Sequence, residues 1–386
     1  MQMQPYNDGW PDRAEKLPAA SRRLAFDATT WTRKGIKRCV DFIFLLVVVT
    51  LLLAGPERAA AASNTPPNVL VVLLDDMGFS DLGCFGGEAR TPNIDALAGN
   101  GVRFRNFHNT SRCSPTRMAL LTGLYTHQAA TVPGDSLPPL RTDNNITIPE
   151  LLRSAGYRTY MAGKWHLGNN AAQIPRARGF QHVFGMGSTQ SGAGADYWKR
   201  DAYSLGSENN EIAARSYGAG AYEFYQTNAI GDYAIDFLNH HAGKADGEKF
   251  FMYLPFNAPH FDIQVDKAYA EQAPAGGRSY LSIYSDGWDI VRSNRYERML
   301  SMGVIHPLHL LAPFSDTPYN GDPAYQQAPR WQDLDAARKA DLSRRMALYA
   351  AMIERVDDNV GRVVERLNVL GQLTNTLVFV MSDNGC

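Results

Sequence analysis

The chain has 386 residues, 45% hydrophobic and 20% charged, with a formal net charge of −1. That is the composition of an ordinary globular protein, long enough for one large α/β domain or two small ones. The near-zero charge gives no electrostatic footprint for nucleic acid, so none is expected as a partner.

The N-terminal segment stands apart. Arg33, Lys34, Lys37 and Arg38 precede an apolar run from Phe42 to Ala54, and the small residues Ala59 to Ser63 follow. A basic stretch, a short apolar core and a small-residue site together read as a secretory signal peptide, with cleavage after Ala62. The run is shorter than the roughly 20 residues a spanning helix needs, so no stable membrane span is expected. The expectation is a leader over 1–62, a folded domain over 63–386, and export to the periplasm or beyond. An uncleaved anchor is the alternative. Cys39 leaves with the leader, and Cys84, Cys113 and Cys386 remain without disulfide or metal spacing. Cys84, in Gly83-Cys84-Phe85-Gly86-Gly87, reads as a packed thiol.

From Asn68 to Leu74 the chain is continuously apolar, as in a strand buried on both faces, and Asp75 and Asp76 end it. Thr91 to Asn100 reads as a helix closed by Gly101. In Cys113-Ser114-Pro115-Thr116-Arg117, Ser114 suits a helix N-cap and Pro115 the first helical position, and Gly123 stops the helix. Thr147-Ile148-Pro149-Glu150 is a capping box, with its helix ending near Gly156. Arg158 to Trp165 reads as a strand, Thr227 to His241 as a helix, and Phe250 to Phe256 as a strand. Val265 to Arg330 shows no clean period and reads as an irregular excursion at the substrate entrance. Ala336 to Leu367 is a long helix and Thr376 to Met381 a last strand. Alternating strands and helices predict an α/β fold with a mainly parallel sheet sandwiched by helices, its ligand sites beyond the strands' carboxyl ends.

Charged groups fall at those ends. Cys113 sits at a helix mouth with Arg117 one turn on, an arrangement suited to a nucleophile facing a tetrahedral oxyanion. Asp75 and Asp76 are adjacent, so both can serve one site only if the backbone leaves strand geometry there. Ser382-Asp383-Asn384-Gly385 follows the last strand. Together Asp75, Asp76, Asp383 and Asn384 offer only oxygen donors, which favours Ca²⁺ or Mg²⁺ over zinc. Lys164 and His166 are two apart, on one face of an extended segment, and suit an anionic oxygen and a proton shuttle. Asn257-Ala258-Pro259-His260 follows another strand. Each group also has an ordinary reading alone: a solvated loop, a turn, an exposed strand end, a loop histidine.

The five groups, in this order, resemble the type I, formylglycine-dependent sulfatases: C-x-P-x-R with a leucine-rich turn and T-G, G-K-W-H-L-G over Gly163 to Gly168, the D-D and S-D-N-G pairs, and His260. The likeness extends to Gly83–Leu97, Gly101–Phe104, and Tyr284–Asp289 with an Arg- and Glu-rich helix after it. It runs from about Pro67 to the last residue, with a bacterial arylsulfatase flavour. It implies an alkaline phosphatase-like fold and hydrolysis of sulfate esters. Cys113 would be oxidised to formylglycine by a formylglycine-generating enzyme. One hydroxyl of the hydrate would then attack sulfur and the other would expel sulfate. Asp75, Asp76, Asp383, Asn384 and an oxygen at position 113 would hold one divalent ion, usually calcium, with magnesium the alternative. Arg117 and Lys164 would stabilise sulfuryl oxygens, His166 would orient or deprotonate the nucleophile, and His260 would assist the leaving group. The substrate would be an aryl or carbohydrate sulfate, met by loops over 185–225 and 265–330, with Ser188 to Ser191 part of a polar cleft. Family members continue past Asn384 with a further lysine, more sheet and a C-terminal subdomain, so the chain reads as C-terminally truncated. Two alternatives follow: a phosphonate or phosphate ester hydrolase of the same superfamily, and an inactive remnant.

Overall fold

The computed structural model describes residues 65–131, 139–186, 196–199, 203–218, 220, 223–244, 247–312 and 329–385. The expected leader, Ser188 to Ser191 and Cys386 lie outside them.

The sheet has six strands: β1 (Asn68–Leu74), β2 (Tyr157–Lys164), β3 (His182–Met186), β4 (Tyr203–Ser207), β5 (Lys249–Pro255) and β6 (Thr376–Ser382). Their order is β4-β3-β2-β5-β1-β6, and every pairing is parallel except β3 with β4. Nine α-helices accompany them: α1 (Pro92–Gly99), α2 (Cys113–Thr122), α3 (Thr126–Ala129), α4 (Ile148–Ser154), α5 (Gln226–Ala242), α6 (Lys267–Glu271), α7 (Tyr280–Tyr284), α8 (Trp288–Ser301) and α9 (Ala336–Val369), among the described residues.

β1 shows why the sequence folds this way. Successive side chains of a strand face opposite sides, and β1 is buried on both. Leu70, Val72 and Leu74 join a core with Ile230, Phe237, Ile353 and Val360 of α5 and α9. Val71 and Leu73 join a second core with Met118 and Leu121 of α2 and with Phe180. A continuous apolar run is what helices on both faces require. α9 is 34 residues long, about 51 Å, and is started by Asp335, whose side chain accepts from the Arg338 amide. Its buried Ala347, Ala350, Val356, Val360, Val363 and Leu367 keep helical spacing and line one stripe. Where α5 crosses it, a Cβ at Gly231 would lie 2.2 Å from Asn359 Oδ1, so glycine permits the close approach.

Several expected boundaries hold. Gly123 caps α2 with φ 70°, and Thr147 and Glu150 form the capping box of α4. Others need correction. α2 begins at Cys113 with Arg112 as N-cap, and the buried Ser114 hydroxyl has no hydrogen-bond partner, so Ser114 is not the cap. α1 ends at Gly99 with Asn100, not Gly101, closing it. The stretch read as irregular from Val265 contains α6, α7 and α8. Their short lengths and α8's largely polar surface leave no strong apolar period. β3 and β4 went unread because each is five residues long and contains a glycine.

Gly163, next to last in β2, has φ 133°, and a Cβ there would sit 2.0 Å from the Pro255 carbonyl oxygen of β5. Gly163→Ala is expected to cost about 2–5 kcal/mol, from strained backbone and overpacking together. Equilibrium urea melts of the two proteins would measure it, and a cost within 0.5 kcal/mol (about the scatter of surface changes) would refute the close approach.

Candidate active site

Four neighbouring strands, β2, β5, β1 and β6, deliver polar side chains from their carboxyl ends. β1 runs into Asp75, which is fully buried, and Asp76, which turns into the left-handed region with φ 63°. Aspartate tolerates that conformation. The break from strand alternation lets both carboxylates reach one place, as the adjacent pair required. Asp383 follows β6, and its amide donates to the Leu74 carbonyl at 3.0 Å, which ties the two strand ends together.

One carboxyl oxygen from each of Asp75, Asp76 and Asp383 lies within 4.8 Å of the others. Asn384 joins them, its Nδ2 donating to Asp76 Oδ1 at 2.7 Å. Two cations enter from the protein side. Lys164 Nζ donates to Asp75 Oδ2 at 2.5 Å. Arg117 donates from Nε (3.0 Å) and Nη2 (2.7 Å) to Asp383 Oδ2, and from Nη1 to the Lys164 carbonyl at 3.0 Å. Its Nη2 is also 3.4 Å from Asp75 Oδ1. Arg117 therefore faces the carboxylates with Nε and Nη2 and a main-chain carbonyl with Nη1.

Electrostatics follow from this packing. Burial raises the Asp75 carboxyl, but Lys164 and Arg117 outweigh it and hold the group well below the usual range. Burial and the Asp75 charge push Asp383 up in spite of Arg117. With Asp383 ionised, three carboxylates against two cations leave one negative charge. Asp75 Oδ1 and Asn384 Oδ1 are buried without a hydrogen-bond partner, so oxygen lone pairs still point into the cluster. An all-oxygen donor set with residual negative charge fits a hard divalent cation.

Cys113, half-buried at the start of α2, feels the charges of Lys164, Asp75, Arg117 and Asp383. Burial pushes its thiol up, so the unmodified side chain is no thiolate at neutral pH. His166 is 5% exposed, with φ 62°. The segment is therefore not extended through Lys164 and His166, and strand alternation is not what brings them together. Neither ring nitrogen has a protein partner. Burial, then Lys164 and Arg117, lower its pKa to about 3, so the ring is neutral. His260 lies nearer the surface, with Nε2 3.6 Å from Asp76 Oδ2.

The histidine shift has a stability consequence. The unfolded chain protonates this ring below about pH 6.5 and the folded chain only near 3, so stability falls as pH drops through that window. At pH 5 the loss from His166 is about 2 kcal/mol. In urea melts at pH 7 and pH 5, His166→Asn should be spared that much of the wild-type fall. Equal falls would show that the ring ionises normally.

One support escaped the sequence reading. The Tyr349 hydroxyl of α9 donates to Asp81 Oδ2 at 2.7 Å, and the Gly78 amide donates to the same oxygen at 2.8 Å. Arg295 Nη1 holds Asp81 Oδ1 at 2.6 Å. This clamp fixes the turn that carries Asp76. Asp81, five residues past the acidic pair, was its one local signal.

Residues 67–386 match the family model described as Sulfatase. An uncharacterized sulfatase of Schizosaccharomyces pombe is 34% identical over 343 residues, covering 82% of this chain and 57% of its own length. An arylsulfatase of Klebsiella aerogenes is 31% identical over 332 residues, covering 82% of this chain and 65% of its own. A crystal structure of Ps i-CgsB in complex with k-i-k-neocarrahexaose matches with TM-score 0.53 and 25% identity, covering 83% of this chain and 59% of that one. The chain thus spans between half and two thirds of these proteins' lengths.

Proposed function

The chain belongs to the sulfatase family, of alkaline phosphatase-like fold, and from that premise we propose that it hydrolyses sulfate esters, with Cys113 converted to formylglycine and a calcium ion held by Asp75, Asp76, Asp383 and Asn384. The observation that carries this reading is the gathering of that oxygen cluster, Lys164 and Arg117 around the start of α2, where Cys113 sits, with the neutral His166 beside the same two cations. Formylglycine, as its hydrate, would supply one hydroxyl for attack on sulfur and a second for release of sulfate, and an ion held by the oxygen cluster would supply positive charge.

The chain's own residues do the rest. Lys164 stands beside Cys113 as a fixed ammonium for sulfuryl oxygens. Arg117, held by Asp383 and the Lys164 carbonyl, sets the carboxylates in place and so prepares the ion site. His166, neutral and with both ring nitrogens free of protein partners, orients the nucleophile or takes its proton. His260, at the mouth beside Asp76, hands a proton to the leaving oxygen. The substrate is an aryl or carbohydrate sulfate. The relative named arylsulfatase and the neighbour solved with k-i-k-neocarrahexaose support testing both. Maturation uses a formylglycine-generating enzyme. The basic and apolar leader supports export to the periplasm or beyond.

The test is mass spectrometry of the Cys113 peptide after co-expression with a formylglycine-generating enzyme, with a hydrazide to trap aldehyde. Conversion, followed by faster turnover of aryl or sugar sulfate than of aryl phosphate, is expected. A thiol left intact while a control sulfatase is converted would sink the mechanism. Faster phosphate turnover would move the chain to phosphate ester hydrolysis.

A further inference from the structure

At the opposite end of the sheet from this site, three side chains from separate elements point at one another. His182 opens β3, His240 lies in the last turn of α5, and Glu211 follows the turn after β4. One ligand atom from each falls within 4.8 Å of the others. His240 Nε2 is 3.0 Å and His182 Nε2 3.9 Å from Glu211 Oε2. The edges of a tetrahedron around zinc, with arms of about 2.0–2.1 Å, are roughly 3.3 Å long. The two distances bracket that value.

The Ser207 hydroxyl lies 3.0 Å from His182 Nδ1 and engages that nitrogen, which leaves Nε2 as the ring atom turned toward Glu211. The residue is 0% exposed and this atom has no hydrogen-bond partner. His240 Nε2 is also buried and lacks hydrogen-bond geometry toward Glu211 despite its closeness. The two rings lie 4.9 Å apart. The competing reading is a simple ion pair, because Lys244 Nζ also reaches Glu211 Oε2 at 3.0 Å. That pair satisfies the glutamate but leaves the buried His182 Nε2 without a hydrogen-bond partner.

We propose that His182, His240 and Glu211 form a zinc site that staples β3, the segment after β4 and the end of α5. Two imidazoles and a carboxylate suit Zn²⁺, and the Ser207 contact to His182 Nδ1 is the outer-shell bond that orients a ligating histidine. Lys244 gives up Glu211 Oε2 when the metal binds. Water completes the coordination on the solvent side of Glu211.

The experiment uses the untagged full chain, stripped with chelator and resupplied with excess Ca²⁺ so that the oxygen cluster is saturated. Zn²⁺ is then titrated, and Co²⁺ serves as the spectroscopic probe. One equivalent of Zn²⁺ should bind and raise Tm by roughly 5 °C at a hundredfold excess over Kd. Co²⁺ should give the visible bands of a low-coordinate nitrogen and oxygen site. His240→Gln and Glu211→Gln, both partly exposed and so tolerant of change, should each weaken binding by about tenfold or more. Lys244→Ala should tighten it several-fold. Absence of stoichiometric binding, or binding unchanged in both His240→Gln and Glu211→Gln, would overturn the proposal. So would a weakened Lys244→Ala variant.

Discussion

Cys113→Ala is expected to remove turnover of an aryl sulfate by roughly 10³-fold or more while moving Tm by no more than a few degrees. The two halves of that expectation have different physical origins. Cys113 is only half-buried and starts a helix, where alanine is a good helix former, so little packing is lost. The chemical half follows from its surroundings. Burial raises the thiol, so an unconverted Cys113 is a poor nucleophile at neutral pH. Cys113→Ser should therefore be as inactive as alanine, and specific activity should track the converted fraction of the chain rather than its concentration. Measuring kcat for wild type at several degrees of conversion, beside both variants, checks this. Activity within tenfold of wild type in either variant would mean that the reacting atom lies elsewhere.

Much of this site was legible because its chemistry sits directly after apolar runs. A strand buried on both faces reads as a continuous apolar run, so the end of β1 is marked by its first charge, Asp75, and the apolar edge strand β6 is likewise followed by Asp383. Strand ends gather at one rim of a parallel sheet, and four contiguous strands do so here. Two kinds of feature were hidden. Short elements such as β3, His182–Met186, carry too few residues for a period to show, and α8 exposes most of its surface. Direction was the other. A sequence places Arg117 near a nucleophile, but only the fold shows its guanidinium turned to Asp383 and the Lys164 carbonyl. The Asp81–Tyr349–Arg295 clamp joins residues far apart in the chain, which no local pattern could reveal. The zinc cluster was invisible for the same reason, since His182, Glu211 and His240 come from three elements with no ligand spacing.

Arg117→Met is expected to destabilise the fold by about 3–5 kcal/mol, a fall in Tm on the order of 10 °C. Arg117 is fully buried, and its removal leaves Asp383 and Asp75 facing each other with Lys164 alone to balance them. Asp383 already sits high with Arg117 in place, because burial and Asp75 both disfavour its charge. Without the guanidinium, Lys164 is the one protein cation left against that penalty, and a proton or a bound cation must supply the rest. Ca²⁺ should therefore stabilise Arg117→Met, recovering about 2.7 kcal/mol at a hundredfold excess over the variant's Kd. Arg117→Lys separates charge from geometry. Lysine restores the positive charge, but one ammonium cannot reproduce the planar fork that grips Asp383 through Nε and Nη2 and the Lys164 carbonyl through Nη1. Partial recovery of stability with weakened Ca²⁺ affinity is the expected result, read from melts across a Ca²⁺ series. Full recovery of both by lysine would reduce Arg117 to a point charge. A cost under 1 kcal/mol for Arg117→Met would mean that the carboxylates need no buried partner at all.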